Sequence, residues 1–423
     1  MVNLKTRKTL NPVIVSAVVC AILIYSKILP LRTNNKLISL SPENSVTEIS
    51  GTIASNPAQT STKKYYSADF SVESVKNAFG LESSAKGNVK LFIPSEIAES
   101  HLPGKLYSAK GRLGDCLCEQ GIRLKVSGNL KNGMFFAENA EKLELQDNFF
   151  SKFLYFRALL RLQFRRIMFS WGAAGGLLLA LLSGIKEYTE SDVAMNFKNT
   201  GLSHILALSG MHLNLFSNMA KKACGVFLAK KTAFFIQFSA ICFFVFFAGF
   251  SPSLLRAFIC ACITFALAVM KIKQKSMLFV LSASFLIHSS IKPDDVFHPA
   301  FLLSYSALAG ILLLSECFNF FFITKIPEKI SGSLSASTAA QFFTAPISLK
   351  IMGTFAPAGI IATMAVSPLI TVFIYGGIIL IVLCIIFPFF VPFSAFLMKI
   401  LYNCISFLVS LFAKIPFFSI SNN

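Results

Sequence analysis

The chain has 423 residues, of which 54% are hydrophobic and only 14% charged, with 45 phenylalanines and a formal net charge of +19. Apolar runs of membrane length recur along it, more than any soluble core of this size requires, so the composition excludes a soluble globular domain and points to a polytopic membrane protein. The positive excess is uneven: Arg32 to Asp147 holds 14 basic and 13 acidic residues, whereas Ser151 to the end holds 21 and 7. Basic loops meeting anionic lipid explain most of that surplus, and a polyanionic substrate is the sharper alternative.

In chain order, Lys5, Arg7 and Lys8 precede the apolar run Val13 to Leu29, which has no small-x-small cleavage site. This predicts an uncleaved anchor over 1–31 with its amino end in the cytoplasm. Residues 32–148 change character. Short β-prone runs (Val46–Ala54, Tyr65–Val72, Val89–Ile93, Lys105–Leu113, Ile122–Val126 and Met134–Ala137) alternate with turn punctuation and predict a small closed barrel. The ten cysteines make no metal pattern, and Cys116 with Cys118 has no assigned role.

Residues 149–170 have the period of an amphipathic helix. Arg157, Arg161 and Arg165 recur every four residues, with Arg166 beside them, while Phe153, Phe156, Leu160 and Phe164 line another face. An interfacial helix with its arginines on lipid headgroups and a basic collar at a pore mouth fit this pattern equally. The run Gly172 to Leu182 is too short to span and reads as re-entrant or interfacial. Candidate spans follow at Leu202–Met219, Thr232–Phe250, Leu254–Met270, Met277–Ser289, Ala300–Phe322, Leu334–Ile351, Pro357–Ile386 and Phe393–Ala413. Lysines at 221, 222, 230 and 231, and again at 271, 273 and 275, place those connections in the cytoplasm and the barrel outside. The arginine cluster of 157–166 then lies outside too, against the rule.

Four polar runs sit inside this apolar region. The first, Asn199–Leu213 (NTGLSHILALSGMHL), carries Thr200, Gly201, His204, Ser209, Gly210 and His212 where leucine would be cheaper in lipid. Spacing by fours through His204, Leu208 and His212 predicts that both imidazoles face one side of a helix, with a weak point at Ser209-Gly210. A two-histidine zinc site needs further ligands and an acidic base, and neither accompanies them. The second run, Gly249–Ala257 (GFSPSLLRA), begins a helix with Ser251 as cap and Pro252 in its first turn. Arg256 then lies about one turn into the membrane with no acid in its own span, so it needs a carbonyl, a distant carboxylate such as Asp294 or Glu316, or a phosphate. The third, His298–Gly310 (HPAFLLSYSALAG), holds Ser304, Tyr305 and Ser306; the fourth, Ser337–Pro346 (STAAQFFTAP), holds Gln341. Pro346 and Pro368 are expected to kink their helices.

Together these four runs, in this order, resemble the ComEC-type competence channel family over roughly residues 172–371, with Leu303 standing where glutamine is common. The barrel, through its strand spacing and Gly51–Pro57 (GTIASNP), resembles the OB-fold-like domain of the same family. The fold class expected is therefore an α-helical polytopic membrane protein with an extracytoplasmic OB-fold-like barrel, the transmembrane channel domain covering 171–423.

The resemblance implies a multi-pass inner-membrane channel for single-stranded DNA in natural transformation. Thr200, Gly201, His204, Ser209, Gly210, His212, Ser251, Pro252, Arg256, Ser304 and Gln341 would line it, and Arg157, Arg161, Arg165 and Arg166 would touch the DNA backbone. Many family members carry a metallo-β-lactamase-like domain, whose His-x-His-x-Asp-His cluster has no counterpart among the five histidines here, and no phosphate-binding Gly-x-x-x-x-Gly-Lys-Ser/Thr loop is present. A form without catalytic residues, metal or cofactor is expected, working with the lipid bilayer and with a separate DNA receptor, nuclease and cytoplasmic ATPase; assembly as a homo-oligomer stays open. Transport of another anionic solute by a diverged relative is the alternative, and a membrane hydrolase built on His204 and His212 is the weakest reading, since no nucleophile or carboxylate pair accompanies them.

Overall fold

The computed structural model describes residues 11–26, 28, 46–60, 62–99, 118–144, 147–225, 230–272, 276–324, 327–357, 359–415 and 420–421. The expected strand Lys105–Leu113, Cys116, Lys273 and Lys275 lie outside them. The chain divides into two compact units, one of Met1–Thr33, Glu190–Gly376 and Leu401–Asn423, the other of Asn34–Thr189 and Gly377–Ile400.

Helix α1 (Pro12–Tyr25) begins at Asn11, whose side chain caps it, and packs its Ala17 and Ile24 in a core shared with Leu281, Phe285 and Tyr305. The barrel follows: β1 (Val46–Ile53), a two-residue β2 (Ala58–Gln59), β3 (Tyr65–Asn77), β4 (Glu82–Pro94), the short helix α2 (Ser95–Glu99), β5 (Arg123–Lys131) and β6 (Met134–Lys142). β1 pairs antiparallel with both β3 and β5, β3 pairs with β4, and β5 pairs with β6. A parallel pairing of β4 with β6 closes the circle. With β2 set aside, the five long strands run in the order first, second, third, fifth, fourth and back to first, with a helix after the third, which is the connectivity of an OB-fold. Alternate side chains turn inward, Ile49, Phe70, Leu91, Val126 and Phe135 among them, all completely buried. Each large side chain so buried contributes on the order of 2 kcal/mol. Closure needs sharp bends. Register shifts occur at Ser50/Gly51 and Ser127/Gly128, where an added Cβ would stand 2.0 Å from the Ser71 and Phe136 carbonyl oxygens, so both positions exclude a side chain.

Beyond the barrel lie α3 (Phe149–Ser170), α4 (Gly172–Ser183), α5 (Ser191–Asn199), α6 (Ser203–Leu206), α7 (Gly210–Gly225), α8 (Lys230–Ala248), α9 (Pro252–Val269), α10 (Met277–Ile291), α11 (Pro299–Phe322), α12 (Glu328–Met352), α13 (Gly359–Ile386) and α14 (Val391–Ala413). Of these, α9, α11, α13 and α14 are long and apolar enough to cross a membrane, and α1, α4, the Thr232–Ala248 part of α8 and α10 are shorter apolar helices. The protein is a multi-pass helical membrane protein with an amino-terminal β-barrel. Helices α12 and α13 run on through Pro346 and Pro368. One expected span is corrected: Leu202–Met219 is not a single helix, because the chain leaves helical geometry between α6 and α7.

The arginines of α3 are also corrected. They do not form an exposed collar; Arg157 and Arg161 are 2% exposed, and Arg165 and Arg166 are buried as well. Arg161 donates to Glu119 at 3.0 Å, Arg165 donates to the other oxygen of the same carboxylate, and Arg157 donates to Gln120 and Asn56, each at 2.9 Å. The four-residue spacing was correctly read as one face, but that face turns toward the barrel rather than toward phosphate or headgroups. Burial alone would raise the Glu119 carboxyl; the charges of Arg161, Arg165 and Arg157 outweigh it and hold the carboxyl below its ordinary range. Burial, with the neighbouring charge of Arg161 adding to it, pushes the Arg157 guanidinium down to about 10, so it stays charged at neutral pH.

Because the native Glu119 carboxyl is depressed, its contribution to stability is complete above the pH at which a free glutamate ionises. It is lost as pH falls through the native value. Glu119→Gln should abolish this acid-sensitive part and lower stability by roughly 3–5 kcal/mol, the cost of leaving buried guanidinium groups uncompensated. Limited proteolysis of the full chain across a pH series, scoring cleavage within residues 46–144, measures both effects.

Candidate functional site

The first polar run folds into a broken helical segment. Helix α5 ends at Thr200, which is fully buried and returns its hydroxyl to the Asn196 carbonyl at 2.7 Å. Gly201 follows with φ +71° and turns the chain into α6, where His204 Nδ1 lies 3.0 Å from the Gly201 carbonyl while the residue stays exposed. Helix α7 then restarts at Gly210, the weak point expected from sequence. His212, completely buried, accepts from the Ser209 backbone N–H at its Nδ1, 3.2 Å away. A side chain three residues into a helix that reaches back to the N-cap amide is the reciprocal half of a capping box, here made by histidine instead of glutamate or glutamine. Since Nδ1 accepts, the neutral ring carries its proton on Nε2, and that buried atom has no hydrogen-bond partner among the described residues. The expectation that His204 and His212 share one helix face is thereby corrected: the break separates them, and one ring is exposed while the other is buried.

Three helix N-termini meet around Arg256. Pro252 opens α9 as expected, but Ser251, although in the cap position, makes no capping bond, and its buried hydroxyl lacks a partner among the described residues. Arg256 donates through Nη1 to the Ser304 carbonyl near the start of α11, and the Ser253 and Ser304 hydroxyls lie 3.0 Å apart. No ion pair joins Arg256 to a carboxylate among the described residues, so the carbonyl, not Asp294 or Glu316, holds it. Its Nε is buried without a partner among the same residues. A Cβ added at Gly210 would stand 3.3 Å from Arg256 Nη2 and 3.4 Å from Ala257, so the first turn of α7 lies against the guanidinium. Leu208 and Leu213 pack with Phe244 and Leu254 to fix that approach. Gly210 opens α7, while Arg256 and Ser304 lie in the second turns of α9 and α11, so the amino-terminal parts of three helices gather at one arginine.

Sequence reasoning missed the support behind this junction. His288, fully buried near the end of α10, lies with Nε2 3.2 Å from Asp295 and Nδ1 3.4 Å from the Tyr305 hydroxyl, which in turn meets Ser284. This chain ties α10 to α11 beside Ser304. Its sequence signal is faint, a histidine and an aspartate seven residues apart across the end of a span.

Gln341 and the Thr200-Gly201 turn come together elsewhere in the same unit. Gln341 Nε2 donates to the Ala356 carbonyl at 3.3 Å, and an added Cβ at Gly359 would stand 2.9 Å from the Thr200 carbonyl oxygen. Among the described residues no group of three or more His, Cys, Asp or Glu side chains gathers as a metal site would.

The barrel carries a separate feature. On its outer face Phe92 stacks on Phe136 with centroids 5.0 Å apart, and Tyr65 meets Phe136 edge-on at 6.1 Å. All three are half-buried, and exposed Lys90 and Lys131 flank them on β4 and β5. Phe92 and Phe136 pair across the parallel β4–β6 ladder, and nothing in their separate sequence positions discloses that register.

Comparison with known proteins bears on the helical region. The family model described as Competence protein matches residues 181–423. ComE operon protein 3 of Bacillus subtilis (strain 168) is 25% identical over 207 residues, covering 48% of this chain and 25% of that protein. The chain thus aligns with about a quarter of that relative's length. No solved structure matches.

The close approach of Gly201 to Ala356 leads to a graded prediction. An alanine at 201 would combine left-handed backbone with a Cβ 2.8 Å from that of Ala356, whereas Gly353, at φ +66°, has nothing within 4 Å. Gly201→Ala should cost on the order of 2–4 kcal/mol and Gly353→Ala only about 1 kcal/mol. Thermal unfolding in detergent, comparing the two variants with the parent, checks the order.

Proposed function

Since the chain belongs to the Competence protein family, we propose that it is an inner-membrane channel through which single-stranded DNA passes inward during natural transformation. The observation that carries this reading is the junction of α7, α9 and α11. There the Nε2 of His212, the Ser251 hydroxyl and the Nε of Arg256 are buried polar atoms without partners among the described residues. A buried donor left unpaired costs about 1–3 kcal/mol, and a passing phosphate oxygen offsets that cost more strongly at the Arg256 guanidinium than a neutral acceptor does. Arg256 supplies charge-assisted hydrogen bonds, His212 a neutral donor, and Gly210 the absent side chain that lets the guanidinium reach the first turn of α7. No bond is made or broken in this scheme. The work is recognition and passage.

The bases need a different surface. The outer barrel face, with Phe92, Phe136 and Tyr65 between lysines, has the character of a stacking platform for unpaired bases, tolerant of sequence because every base has a π-face. Phe92→Ala should weaken binding of a fluorescent oligothymidine to the purified full chain by about tenfold, equivalent to one lost stack. Anisotropy at fixed ionic strength reads this, and unchanged affinity would remove the barrel from the reading.

Arg256 provides the decisive comparison. In cells lacking the native gene, complementation with Arg256→Lys should restore part of the uptake of labelled DNA, and Arg256→Leu should leave it at least about tenfold below the parent, as loss of a charged hydrogen bond implies. Uptake is compared at equal membrane abundance. Full uptake with Arg256→Leu overturns the role of Arg256, and unaltered uptake in the deletion strain moves the whole reading to another anionic solute.

A further inference from the structure

Helix α3 is amphipathic, and the unit that contains it shows where each face goes. Its polar side is occupied by the barrel. Arg157 reaches Asn56 and Gln120, Arg161 and Arg165 hold Glu119, and Ala158 and Leu162 join the barrel core. Tyr155 receives a hydrogen bond from Lys142 at 3.1 Å, and a Cβ added at Gly121 would meet Leu154. These contacts all belong to the end of the barrel where β1 finishes, because Ile53 pairs with Ile122, and they run along α3 from 154 to 165. The helix therefore lies across that end of the barrel.

Another side is aromatic and exposed: Phe149 is 85% exposed and Phe156 54%. Phe149 and Phe153 stack with centroids 6.3 Å apart along the same face. Large apolar groups such as Phe149, Phe153 and Phe156 on one face would be a liability in water. Arg157, Arg161 and Arg165 turn to the barrel, and exposed Lys152, paired with Asp147, stands at the edge of the phenylalanine face. The helix leads through buried Trp171 into α4, whose Leu178 would lie 2.6 Å from a Cβ at Gly377 in the membrane-crossing α13. The element that follows α3 is thus packed on a helix long and apolar enough to cross a membrane.

We propose that α3 is a monotopic membrane element: its phenylalanine face lies in the headgroup–acyl boundary, and its arginine face carries the barrel through Glu119. The usual arrangement, with arginines on headgroups and apolar groups inward, is reversed. Attachment consequently depends on apolar burial and not on anionic lipid. The Asn77–Leu81 turn, at the opposite end of β1, where Val46 pairs with Asn77, stands roughly 20–25 Å above the boundary at 3.3 Å per residue.

The single tryptophan of the chain, Trp171, makes a direct test available. In full-length protein carrying Trp171→Phe, a new tryptophan is placed at Phe149→Trp, Phe156→Trp or, on the distal turn, Phe79→Trp, which replaces a residue 85% exposed. The proteins are reconstituted in phosphatidylcholine vesicles brominated near the top of the acyl chains. Probes at 149 and 156 should lose about half their emission or more to the brominated lipid and resist aqueous acrylamide, and the probe at 79 should do the reverse. Acrylamide quenching at 149 and 156 without lipid quenching overturns the proposal. So does protection from both quenchers, the result expected under a protein partner or a second copy. A requirement for anionic lipid overturns the inward placement of the arginines. Should a tryptophan variant misfold, labelling of the parent chain by an acyl-chain photoprobe decides the matter, since absence of label from residues 149–156 also overturns the proposal.

Discussion

A charge or an interrupted backbone in apolar surroundings must find a partner within the protein, because neither lipid nor a dry core supplies one. Much of this structure follows from that demand. Glu119 is held by arginines from α3, and those arginines are held by it. Arg256, with no acid in its own helix, takes the Ser304 carbonyl. The interruption before α7 is sealed by His212 folding back onto the Ser209 amide. In the first two cases the polar group draws a second element to it, so Glu119 and Arg256 position helices that hydrophobic burial alone would leave free to slide and rotate.

Close packing acts alongside this. Gly210 admits the Arg256 guanidinium, Gly359 admits the Thr200 carbonyl, and Gly310 lies where a Cβ would stand 2.5 Å from the Ala339 carbonyl between α11 and α12. Between membrane helices the gain comes from contact and hydrogen bonding more than from dehydration, which is why glycines and small polar residues recur at these crossings. The Asp295–His288–Tyr305 chain adds rigidity behind Ser304. That frame fixes the Ser304 carbonyl on which Arg256 rests.

The amphipathic helix shows how a correct pattern can lead to a wrong orientation. Periodicity in α3 places arginines on one side and phenylalanines on the other, and the structure agrees. Pattern alone says nothing about which side meets protein, because in a membrane protein both lipid and a protein interior accept apolar groups. Glu119 decides the matter, and it lies 42 positions before Arg161. The histidines illustrate the same limit. A four-residue spacing puts His204 and His212 together only if the helix between them is continuous, and the backbone breaks there.

Much was nevertheless legible in the linear chain. Apolar length, the barrel strands outside the undescribed stretch, the short α4 and the start of α9 at Pro252 all follow from local rules, since hydropathy, turn chemistry and proline geometry act over a few neighbouring residues. The membrane class and the four polar runs belong to this part. Tertiary structure decided which groups meet: Glu119 with Arg161 and Arg165 of α3, Arg256 with Ser304, His288 with Asp295 and Tyr305, and Phe92 with Phe136 across a parallel ladder. Those pairings depend on the register of strands and the rotation of helices. Burial summed over the whole chain sets both, and no window of sequence contains that sum.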